Sequence, residues 1–95
     1  MMQSTINTLK ELIETELHSL RLKNPKVLTS VTATSVTFII VWEAGDAKPH
    51  IKFKISKIQM RSYTFRDFVT IARAIREKVK LKNEKIIDLD SPIGV

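Results

Sequence analysis

Ninety-five residues, 43% of them hydrophobic and 27% charged, describe one small globular domain with room for a single core. The absence of cysteine excludes disulfides, thiolate metal sites and a cysteine nucleophile. No apolar run approaches the roughly 20 residues that span a bilayer, and MMQSTINTLKELIE lacks the basic start and apolar block of a secretory leader, so the expected setting is reducing and cytoplasmic.

The net charge of +6 is unevenly placed. Residues 1–47 carry four Lys/Arg against five acids, residues 48–85 twelve against three, and the last ten residues only Asp88 and Asp90. A basic second half speaks for a local field directed at an anionic partner.

In chain order, Ser4 or Thr5 offers a cap for a helix over 5–22, in which Ile6, Leu9, Ile13, Leu17 and Leu20 recur at helical spacing. Asn24-Pro25 is the expected stop, because the residue before proline avoids the helical region. Val27 onward is rich in Val, Thr and Ile, and VLTSVTATSVTFIIVWE is too long for one strand of about 5–6 residues. A break near Thr34-Ser35 and the turn Ala44–Pro49 give strands of 27–33, 36–43 and 50–57.

Closing the second hairpin symmetrically over 44–49 sets Glu43 against His50, Trp42 against Ile51, Ile40 against Phe53 and Phe38 against Ile55. One face then collects Phe38, Ile40, Trp42, Ile51, Phe53 and Ile55. The other collects Thr37, Ile39, Val41, Lys52, Lys54 and Ser56, as expected of a sheet covered on one side. Trp42 could serve as a base-stacking platform, but this register assigns it to the core.

Thr64 caps a second helix over 64–82, with Asp67 as its acidic partner and Phe65, Phe68, Ala72, Ile75 and Val79 as its apolar face. Asn83 is the expected stop. The tail over 86–95 holds Ile86-Ile87, Pro92 and Gly94, and either docks as a short element or frays. The expected fold is a single α+β domain over 1–95: a two-layer sandwich of helix, three-stranded antiparallel meander and helix, plus a short C-terminal tail.

The residues offer no catalytic constellation. Two glycines cannot build a phosphate-cradling loop, His18 and His50 are isolated surface histidines, and Asp88 and Asp90 belong to a solvated tail. No enzyme, cofactor or metal is expected.

The basic features carry more. Arg66, Arg73, Arg76 and Lys80 share one flank of the second helix, and the members seven apart align about 10.5 Å from one another. Such a row suits a phosphate backbone, while the plainer reading is a solvated flank whose stems cover the core edge. On the open sheet face Lys52 and Lys54 stand beside Val41 and Ile39, with Leu28, Lys57 and Arg61 nearby. They read either as edge protection or as a mixed apolar and cationic docking surface.

The order helix, three strands, helix is similar to that of double-stranded RNA-binding domains. The resemblance stops at element order: where that family has a glycine loop and a Lys-Lys-x-x-Lys run, this chain has SKIQMRSYTFRDF, in which Arg61 and Arg66 offer some positive charge but the glycine and the lysine pair are missing.

The expected function is a small binding protein that contacts a polyanion, nucleic acid first, through Lys52, Lys54, Lys57, Arg61, Arg66, Arg73, Arg76 and Lys80. The alternative is an inhibitor, adaptor or regulatory factor docking an acidic protein surface. No membrane partner is expected, and the chain is expected to be a monomer or weak homodimer, with few acids to answer the lysines of a paired open face.

Overall fold

The computed structural model describes residues 2–90, with side chains described as far as Ile86. The elements are α1 (Met2–His18), β1 (Lys23–Val31), β2 (Ser35–Glu43), β3 (His50–Ser56), α2 (Lys57–Ser62) and α3 (Phe65–Asp90). The strands form one antiparallel sheet in the order β1-β2-β3, so the expected α+β meander is the fold.

The core forms between one sheet face and the helices. α1 contributes Ile6, Leu9, Ile13 and Leu17, α3 contributes Phe68, Ala72, Ile75 and Val79, and β2 contributes Val36, Phe38, Ile40 and Trp42. Each aliphatic side chain buried this way contributes about 1.5–3 kcal/mol. The faces fall as the alternation predicts, with Ile51, Phe53 and Ile55 on the covered side.

The register of the second hairpin differs from expectation by two residues. Val41 pairs with His50, Ile40 with Ile51, Phe38 with Phe53 and Val36 with Ile55. The loop is two residues long: Ala44 and Ala47 exchange backbone hydrogen bonds of 3.0 and 2.9 Å around Gly45-Asp46. Gly45 alone of the pair has a positive φ, 61°, the pattern of a II′ turn. Pro49 accepts from the Trp42 N–H at its carbonyl but has no N–H to return, so the ladder is interrupted there and resumes at His50. A shift of two preserves the side-chain alternation, which is why the faces are as expected.

The first hairpin closes at the expected place without glycine. Thr32 N–H donates to the Ser35 carbonyl, and the Thr32 hydroxyl accepts from the N–H groups of Thr34 (3.3 Å) and Ser35 (3.0 Å). A side chain thus supplies the turn chemistry.

The helix boundaries need four corrections. α1 begins at Met2, so Ser4 and Thr5 lie inside it; Gln3 donates to Asn7 and the Thr8 hydroxyl to the Ser4 carbonyl across its first turns. It ends at His18, where Arg21 takes a left-handed φ of 52°. Asn24-Pro25 instead forms a bulge in β1, where the register shifts between Lys23 and Lys26. An edge-strand bulge tolerates the missing N–H of proline.

α2 is the third correction: Ser56 caps it by accepting from Gln59 N–H at 3.1 Å, and Met60 is buried below. The fourth is the end of α3, which runs through Asn83 to Asp90. Asn83 does not stop the helix; its side-chain oxygen accepts from the Trp42 indole N–H at 2.9 Å.

At the other end of α3 the Thr64 cap forms as expected. Asp67 N–H donates to the Thr64 hydroxyl (3.2 Å) and Thr64 N–H to the Asp67 carboxylate (2.8 Å). Phe65 is 63% exposed and outside the core. Tyr63 takes that place, edge-on to Phe68 with centroids 5.9 Å apart. The expectations for residues 91–95 and for the side chains of Asp88 and Asp90 lie outside the described residues.

Candidate functional site

α1 and α3 cover one sheet face, no helix of the described residues covers the other, and its rows follow from the pairing. Lys26, Val41 and His50 form one row, Leu28, Ile39 and Lys52 the next, and Ser30, Thr37 and Lys54 a third. Residues two apart on one strand stand about 6.6–6.8 Å from one another, and neighbouring strands about 4.8 Å. Lys26, Lys52 and Lys54 are exposed, and no ion pair among the described residues engages them. Ile39 and Val41 are half-buried on the central strand, with Leu28 48% exposed beside them on β1.

Among the described strand residues Glu43 is the acid of this face, and it is occupied. Asn24 donates to one of its oxygens at 2.7 Å, and Lys23 lies 4.0 Å from the other. Lys48 stands across the hairpin from Glu43, between the Trp42–Pro49 and Ala44–Ala47 bonds. With Asn24, Lys26, Val41 and Glu43 it lines a shallow depression. The face therefore sets Lys23, Lys26, Lys48, Lys52 and Lys54 against one glutamate.

Lys23, Lys26 and Lys48 were missing from the sequence-derived set. The signal for Lys26 and Lys48 was the same alternation carried one step further: Lys26 continues Leu28 and Ser30, and Lys48 continues His50, Lys52 and Lys54, whereas Lys23 lies beyond the bulge, where the alternation breaks.

The remaining expected residues lie elsewhere. Lys57 opens α2, half-buried, its N–H donating to the Thr34 carbonyl at 2.9 Å. Arg61 is exposed near the start of α1, beside Met2, Thr5, Tyr63 and Phe68. On α3, Arg66, Arg73 and Lys80 are exposed, and no ion pair among the described residues engages them.

Arg76 is committed. It donates to Glu16 on α1 at 2.8 Å and to its neighbour Glu77 at 3.2 Å. That tie turns the arginine flank of α3 toward α1. Lys82, on the opposite flank, reaches the His50 carbonyl of β3 at 2.7 Å. The arginine row and Lys52/Lys54 consequently belong to different sides of the molecule and form no single strip.

His18 and His50 are both exposed. Among the described residues no group of three His, Cys, Asp or Glu side chains could hold a metal ion, and no helix is long and apolar enough to cross a membrane. No family model, no curated protein and no solved structure matches the chain.

Proposed function

We propose that the chain is a non-enzymatic binding protein of a reducing, cytoplasmic setting that takes a polyanion, nucleic acid, through backbone phosphates on its open sheet face. The observation that carries this reading is the uncovered face itself, with Lys26, Lys48, Lys52 and Lys54 exposed around a small apolar centre and its glutamate already engaged. Lys/Arg side chains that neutralise phosphates release condensed counterions, and contacts of this kind position a nucleic acid without reading its sequence. The α3 flank is the weaker surface, because Arg76 is paired and Glu77 and Glu84 share the helix with Arg66, Arg73 and Lys80.

The test is binding to generic duplex DNA over a salt series. Four phosphate contacts imply a slope of log K against log salt near about −3.6, and Lys52→Gln/Lys54→Gln lowers it to about −1.8. Arg73→Gln/Lys80→Gln leaves it nearly unchanged. Undetectable binding at low salt, or a slope indifferent to the sheet lysines, refutes the reading.

A second reading has one observation in its favour. Leu28, Ile39 and Val41 give the face an apolar centre that a phosphate backbone does not need and an acidic protein surface would use. Recovery of a partner from extract that survives nuclease treatment favours this alternative, and loss on nuclease treatment favours nucleic acid.

A further inference from the structure

The sheet order leaves two edges, and they are unlike. β3 carries Lys52 and Lys54 at the positions whose backbone groups point outward, and its His50 carbonyl is already taken by Lys82. A second strand arriving there would meet cations, the usual protection of an edge.

Past Lys26, β1 has no such protection. Its segment Val27–Thr34 contains no charged residue. The hydrogen bond from Thr32 N–H to the Ser35 carbonyl fixes the ladder phase, so Thr32, Ser30, Leu28 and Lys26 turn their backbone groups toward β2. Val27, Thr29 and Val31 therefore point theirs away from the sheet, and among the described residues no further strand lies beyond. Val31 is 49% exposed and Thr29 is exposed, so α1 does not cover this stretch, although it buries Val27. The one bulge lies before Lys26 and leaves Val27–Val31 regular.

We infer that the β1 edge is an interface for a second copy of this chain, paired antiparallel about a two-fold axis at Thr29. The segment is complementary to itself in that register. Thr29 opposes Thr29, each Val27 opposes Val31 of the other copy, and three hydrogen-bonded pairs give about six new backbone hydrogen bonds. On the open face Leu28 falls beside Ser30, and Lys26 falls across from Thr32, so no like charges meet. Pro25, lacking an N–H, opposes Ala33 and ends the ladder. Val31, half-exposed in one copy, comes to lie against Val27 of the other. The product is a continuous six-stranded sheet with both lysine faces on one side, since the axis is perpendicular to the sheet. This inference stands apart from the polyanion reading, and its test uses no nucleic acid.

Sedimentation of the full chain over a wide concentration range gives a mass that rises from one chain toward two. Backbone amides of Val27, Thr29 and Val31 become slow to exchange as the dimer fills. Thr29→Lys and Thr29→Glu, exposed changes on an outward-pointing residue, each give a folded monomer by circular dichroism. Mixed together, the two variants form a heterodimer, which only an interface with residue 29 facing its own counterpart would do. A wild-type chain that stays monomeric throughout, a dimer indifferent to Thr29→Lys, or a mixture that fails to associate overturns the inference.

Discussion

Replacing Asn83 by leucine isolates one of the bonds that tie the long third helix to the sheet. Trp42 is 1% exposed, and its indole N–H has the Asn83 oxygen 2.9 Å away. Leucine removes the acceptor and leaves a buried donor unpaired, a loss of about 1–3 kcal/mol. Leucine is also the better helix former, which returns up to about 0.7 kcal/mol. With the full offset the net destabilisation is about 0.3–2.3 kcal/mol, or about 1–18 °C in Tm for a domain of this size.

Urea unfolding followed by circular dichroism measures it, and the single tryptophan gives an independent fluorescence signal in the same sample. The same substitution in a Trp42→Phe background separates the hydrogen bond from any general effect of the side chain. With no indole N–H to satisfy, Asn83→Leu should there be neutral or slightly stabilising. Equal effects in both backgrounds, or no loss with Trp42 present, refute the reasoning, because coupled residues must depart from additivity.

Two turn predictions follow from the hairpins. Thr32→Ala removes the hydroxyl that accepts from the Thr34 and Ser35 N–H groups and lowers the urea-derived stability by about 1–2 kcal/mol, whereas Thr32→Ser retains most of it. Gly45→Val at φ 61° costs about 1–2 kcal/mol by the same measurement, and Gly45→Asn costs less because asparagine tolerates a left-handed backbone. Gly45 is exposed, so a loss there has no packing component.

The fold was legible where the pattern is local. The α1 stripe as far as Leu17, the α3 stripe beyond Phe65, the Thr64–Asp67 cap and the alternation of β2 and β3 all act within a few residues, and each forms as read, whereas Leu20 lies past the end of α1. Asn83 was misread because its poor helix propensity is local while its partner, Trp42, is 41 residues away. The ladder register was misread because Pro49 interrupts the pairing and makes a two-residue loop look like six. α2 was missed although Ser56-x-x-Gln59 is a capping-box spacing, because the alternation of β3 reads smoothly up to Ser56.

The candidate site divides along the same line. Alternation assigns Lys52 and Lys54 to the uncovered face from sequence alone, and one further step along each strand would have added Lys26 and Lys48. What no periodicity contains is how two basic rows on different elements sit relative to each other. That depends on which flank of α3 meets α1, and the Arg76–Glu16 bond that decides it joins residues 60 apart. Once that bond is made, one arginine of the row becomes a tie between helices, and the rest of the row points away from the sheet lysines. A charge total of +6 is the same for either arrangement, but the field is not. On the open face Lys26, Lys48, Lys52 and Lys54 stand around a glutamate that Asn24 and Lys23 already engage, whereas the row on α3 gives up Arg76 to Glu16 and Glu77 and keeps Arg66, Arg73 and Lys80 on another side of the molecule.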